Sequence, residues 1–76
     1  MVSPFQPGTI WVSRQKWGRA GEGEVPIKPG DIFMVVELIA GIGLTDHIRV
    51  LKDGRTREIL VQHRDAVPCN EQPAVV

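Results

Sequence analysis

Asp53-Gly54, set between His47 to Lys52 and Arg55 to Gln62, constrains this chain more than any other pair of residues. Asp and Gly tolerate the two positive φ values of a type I′ turn, whose twist matches the strands it joins. With those two residues as the turn, Lys52 pairs with Arg55, Arg49 with Glu58 and Ile48 with Ile59. Ile48, Val50, Ile59 and Val61 then share one face, which becomes the core face. Arg49 and Glu58 become opposite-charge neighbours on the other face. A slip of one residue would bury the charges instead, so the pattern checks its own register.

The rest of the chain reads as strands and turns around that hairpin. Ser3 to Gly8 contains Pro4 and Pro7 and is expected to be an extended lead-in lying on the surface. Thr9 to Ser13 is a strand candidate with Ile10 and Val12 on one face and Trp11 on the other. Arg14 to Gly30 holds too many glycines and prolines for a helix, and its length is typical of a working loop. Lys28-Pro29-Gly30-Asp31 fits a type II turn, because Pro presets φ and Gly supplies the positive φ that follows.

Ile32 to Ile39 is apolar on both faces and is expected to form a central strand. Ala40 to Asp46 reads as a connecting loop, since Gly41 and Gly43 weaken a strand interior. His63 to Ala66 is expected to form one 3₁₀ turn, with Val67-Pro68-Cys69 as a closing edge strand. There is no repeat and no helix-period stretch, so the domain is read as all-β. Its boundaries are residues 1–8 for the lead-in, 9–69 for the domain and 70–76 for a flexible tail.

The order of strand, long Gly/Pro loop, turn, apolar strand, hairpin, 3₁₀ turn and last strand resembles a five-stranded Src-homology-3-like barrel. The resemblance rests on Lys28 to Glu37, on Asp53-Gly54 and on the Ala66-Val67-Pro68 ending. It implies a scaffold and not that family's polyproline groove. The chain has no Tyr, and His47-Ile48 and Asp65-Ala66 stand where the family has paired tryptophans and Asn-Tyr.

With 76 residues, of which 42% are hydrophobic and 24% charged, the chain suffices for one folded domain with a thin core. Nine basic and nine acidic residues give zero net charge, so no overall field directs it to nucleic acid or an anionic membrane. Cys69 is the single cysteine, hence no internal disulfide, and a reducing, cytoplasmic setting is expected. The apolar run from Ile32 to Leu44 is interrupted by Glu37 and is too short to span a bilayer.

Two surfaces stand out as candidates. Trp17, Ile39, Ile42 and Leu44 place exposed apolar groups around glycine-rich connections, as a protein-binding site or a weak homodimer contact would. Against this, the same side chains would serve to seal one end of the fold. The alternative surface is a nucleic-acid site in which Trp11 and Trp17 stack on bases while Arg14, Lys16 and Arg19 meet phosphates, weighed against a half-buried Trp11 with the cations as solvated loop residues, which the neutral chain favours. Lys52, Arg55 and Arg57 at the hairpin tip would extend it, although charges there also keep sheet edges from pairing.

His47, His63, Asp46, Asp65 and Cys69 match no paired metal-ligand spacing, and Gly18-x-x-Gly21-x-Gly23 lacks the Lys-Ser/Thr ending of a phosphate cradle. The expectation is therefore a non-catalytic module without cofactor or metal. It would be a monomer or weak homodimer that docks on a protein, with nucleic acid as the rival partner. A stand-alone accessory or inhibitory protein of the kind bacteria and their phages encode fits this profile.

Overall fold

The computed structural model describes residues 3–18, 25–42 and 44–69, with the backbone alone for residue 42. Five antiparallel strands, β1 (Ile10–Ser13), β2 (Ile32–Ile42), β3 (Thr45–Lys52), β4 (Arg55–Gln62) and β5 (Ala66–Pro68), are arranged in the order β4-β3-β2-β1-β5. A 3₁₀ turn, His63–Asp65, separates the last two strands, and no helix occurs among the described residues. The all-β expectation therefore holds, and β2 lies at the centre of the sheet.

The β3–β4 hairpin has the expected register throughout, from Lys52 opposite Arg55 to Ile48 opposite Ile59. Asp53 and Gly54 take φ values of 52° and 75°, the left-handed pair that the turn demands. Ile48, Val50, Ile59 and Val61 are all buried. The Lys28-Pro29-Gly30-Asp31 turn also forms, with Gly30 at φ 92° and Asp31 N–H donating to Lys28 C=O at 2.9 Å.

The sheet is not closed into a barrel: among the described residues β4 and β5 pair on one side only. Its inner face is covered instead by two segments outside the sheet. One is the lead-in, which was expected on the surface, yet Phe5 is fully buried with its ring 4.4 Å from Trp11 and 5.8 Å from His63. An aromatic side chain between two prolines is worth more to this thin core than to the surface, since burying it removes a large apolar area from water. The lead-in is tied at its far end by Gly8 N–H to Val35 C=O, 2.8 Å, and by Val35 N–H to Thr9 C=O, 2.9 Å.

The second covering segment is the long loop after β1. Trp17 and Ile27 form an isolated antiparallel bridge, exchanging N–H···O=C bonds of 2.8 and 2.9 Å. That bridge narrows the loop into an arm and carries Val25 and Ile27 into the interior, where both are buried. The middle of the loop, 19–24, lies outside the described residues, as do residue 43 and the expected tail at 70–76.

Ala40 to Asp46 is not a loop. β2 runs on to Ile42, and β3 already begins at Thr45, with Gly41 opposite Asp46 and Ile42 opposite Thr45. The glycine penalty within a strand is offset here by cross-strand pairing along the whole hairpin. At Gly41 there is also little room for a side chain, since a Cβ would sit 3.0 Å from Asp46 Oδ1. Two register shifts in β2, between Val35 and Glu37 and between Leu38 and Ala40, bend this long strand.

Candidate functional site

The β2–β3 hairpin tip carries Leu44, the most exposed large apolar side chain among the described residues at 81% accessible. Alternation along the ladders puts Ala40, His47 and Leu60 in one row on the outer face of the sheet. Leu60 is 60% accessible, and Ile39, at the second register shift, is exposed as well. Leu44 also lines a shallow pocket of about 370 Å³ with Gln62, His63 and Arg64. The backbone of Ile42 belongs to this tip, while its side chain lies outside the described residues.

Trp17 approaches the same region from the arm. Its Nε1 donates to Leu60 C=O at 3.1 Å, and its ring meets Phe33 edge-on at 6.4 Å. One side of the indole is thus committed to the core, and the residue is half-buried. The structure brings Trp17 beside Leu60, a residue not singled out in the sequence. The alternation Glu58, Ile59, Leu60, Val61 places it on the outer face, but a single leucine on a face of charged side chains carries no functional signal along the sequence.

The basic residues are dispersed. Arg49 sits between two carboxylates, ion-paired with Glu37 and donating to Glu58 at 3.0 Å. Lys52 Nζ lies 2.7 Å from Asp53 and 3.5 Å from Asp31. Arg57 points inward and donates to Val25 C=O at 3.0 Å. Arg55, Arg14 and Lys16 are exposed, and Arg19 lies outside the described residues. Trp11 is buried with Nε1 donating to Thr9 Oγ1 at 2.8 Å, so its ring faces are in the core and not open to a base.

These pairings shift the groups involved. The hydrogen bond from Arg49, followed by that from His47, holds the Glu58 carboxyl below its ordinary value. Asp53, then Asp31, raises the Lys52 ammonium. The backbone N–H of Lys28, 2.8 Å from Asp31 Oδ2, holds the Asp31 carboxyl down.

A polar cluster at the mouth of the sheet was not foreseen. Asp46, on the inner face and 4% accessible, accepts from Ser3 Oγ at 2.5 Å, and His63 Nε2 lies 3.3 Å from the same oxygen. Ser3 Oγ in turn accepts from Phe5 N–H at 3.0 Å. The serine donates to the carboxylate and not to an imidazole, so the cluster works as a clasp on the lead-in. Among the described residues no three His, Cys, Asp or Glu side chains converge as a metal site would require.

A second groove, of about 550 Å³, runs between the lead-in and the β1–β5 edge, lined by Pro4, Ile10, Trp11, Pro68 and the free thiol residue Cys69 among others. Among the described residues no helix is long and apolar enough to cross a membrane. The chain matches no family model, no curated protein and no solved structure.

Proposed function

We propose that this chain is a non-catalytic binding module that docks on a larger protein through the β2–β3 tip, in the manner of an accessory or inhibitory protein. The observation that carries this reading is Leu44, whose 81% accessibility at a hairpin turn is joined by Leu60 and Ile39 on neighbouring strands. Exposed apolar side chains grouped at one end of a small domain are costly in water unless a partner covers them. The strands that flank the tip are paired up to Ile42 opposite Thr45, so little ordering entropy is lost in those strands on docking.

The finer fold reading belongs with this proposal. We take the domain as a Src-homology-3-like scaffold, supported by the strand order with β2 central, the arm after β1, the type II turn before β2 and the 3₁₀ turn before β5. Small scaffolds of this kind bind through loops and hairpin tips held by the sheet.

Photo-crosslinking from position 44 in host lysate tests the proposal. The expected result is a discrete protein adduct that disappears in a Leu44→Asp, Leu60→Asp double variant of unchanged melting temperature. If the double variant captures the same adduct, the tip is not the docking site. Amide shifts on adding an oligonucleotide at low salt, lost as salt rises, would favour the nucleic-acid reading instead.

A further inference from the structure

Of the dispersed basic residues, three meet at one place. Two hydrogen bonds hold the run from Arg14 to Trp17 alongside the end of β4 and the 3₁₀ turn. Arg14 N–H donates to Asp65 C=O at 2.8 Å, and Trp17 Nε1 to Leu60 C=O at 3.1 Å. Arg14 and Lys16 stand in this run and Arg64 in the turn beside it, and all three are exposed. Arg64 also lines the shallow pocket that it shares with Leu44, so this basic edge is continuous with the apolar tip.

None of the three has an ion partner among the described residues, whereas every described carboxylate is engaged. Glu37 and Glu58 hold Arg49, and Asp31 and Asp53 flank Lys52. The two acids close to the edge are committed elsewhere. Asp46 is buried beneath Ser3 Oγ and His63, and Asp65 Oδ2 accepts from Gln62 N–H at 2.9 Å. Of the remaining cations, Lys28 lies by Asp31 and Arg55 stands at the opposite end of β4. The unopposed charge beside the tip is therefore positive, although the whole chain is neutral.

We infer that Arg14, Lys16 and Arg64 take an acidic segment of the protein that docks on the tip, one in which an apolar side chain against Leu44 is flanked by Asp or Glu. This rests on the docking reading of the tip and adds the partner's chemistry to it. Guanidinium groups suit carboxylates because their fork of donors matches both oxygens. Nucleic acid fits less well, since a base needs an open aromatic face. Trp11 is interior, and Trp17 is half-buried with its ring edge-on to Phe33. A phosphate backbone would also leave Leu44 uncovered, whereas one peptide segment covers the leucine and meets the cations together.

The test is a heteronuclear titration of the full chain at about 20 mM salt with two acetylated, amidated peptides, Glu-Leu-Glu-Leu-Glu and Gln-Leu-Gln-Leu-Gln, each to about 5 mM at matched ionic strength. The acidic peptide is expected to shift the amides of residues 14–16, 44 and 62–64, and to bind at least about five-fold more tightly than the neutral one. An Arg14→Gln, Arg64→Gln double variant with an unchanged circular-dichroism spectrum is expected to erase that difference, as is salt at about 200 mM. Leu44→Ser is expected to weaken both peptides. Equal affinity for the two peptides, both weakened by Leu44→Ser, would overturn acid recognition and leave the tip standing. Acidic-peptide binding that needs the arginines but ignores Leu44→Ser would keep the acid contact and remove the tip from it. No shift with either peptide overturns the assignment, and so does a tighter, salt-sensitive response of the same amides to single-stranded decathymidylate, which would favour nucleic acid.

Discussion

Ser3 Oγ and Asp46 Oδ2 are 43 positions apart in the chain and 2.5 Å apart in space. The bond clasps the lead-in across the mouth of the sheet, and it does so at a buried carboxylate that His63 also faces. Asp46→Ala leaves the Ser3 hydroxyl and the lead-in without their anchor. The expected cost is about 1–3 kcal/mol, the range for breaking a buried polar pairing, read as a lower urea midpoint at constant m. Gly41→Ala is expected to act in the same direction, because Asp46 is held on two sides and yields poorly to a Cβ at 3.0 Å.

Phe5→Ala removes a fully buried ring from contact with Trp11 and His63. Large-to-small aromatic changes cost about 3–5 kcal/mol. A chain of this size has only roughly 4–11 kcal/mol in all. The variant is expected to melt far below the wild type, and differential scanning calorimetry reads the difference. A surface lead-in would leave the melting temperature within a degree or two.

Gly54 at φ 75° and Gly30 at φ 92° both sit where a side chain is strained, although neither Cβ would meet an atom within 4 Å. Gly54→Ala and Gly30→Ala are each expected to cost about 1–2 kcal/mol, from backbone strain alone. Asp53→Asn keeps the type I′ turn and is expected to leave the urea midpoint nearly unchanged.

Stability should decline at both ends of the pH scale. The Asp31 and Glu58 carboxyls are held below their ordinary values of 3.8 and 4.5, by the Lys28 backbone N–H and by Arg49 respectively. The folded state therefore binds these protons more weakly, so their contribution is present above those values and fades as pH falls through the lowered ones. Lys52 is raised above 10.5 by Asp53, so its contribution is present below 10.5 and fades as pH climbs through the raised value. Urea midpoints from pH 2 to 5 are expected to slope less steeply in Asp31→Asn than in the wild type.

What the residues determined by themselves was local. Asp53-Gly54 fixed the β3–β4 turn and its register, Pro29-Gly30 fixed the turn before β2, and the alternation from Ile48 to Val61 fixed which face is core. Each depends on backbone preferences and side-chain period within a few positions. Long-range packing decided the rest. Phe5 entered the core because an open sheet left an apolar face to cover, and Trp17 and Ile27 joined it through a bridge between the ends of a loop. Gly41 became strand because β3 offered a partner for every residue beside it. The Arg49–Glu58 pair was legible from the hairpin register. The second acid on Arg49, Glu37 of β2, and the Asp31 carboxylate near Lys52 come from other segments, and the same packing took Trp11 fully into the interior. Those outcomes turn on which segments meet across the fold, and periodicity along one segment carries no such information.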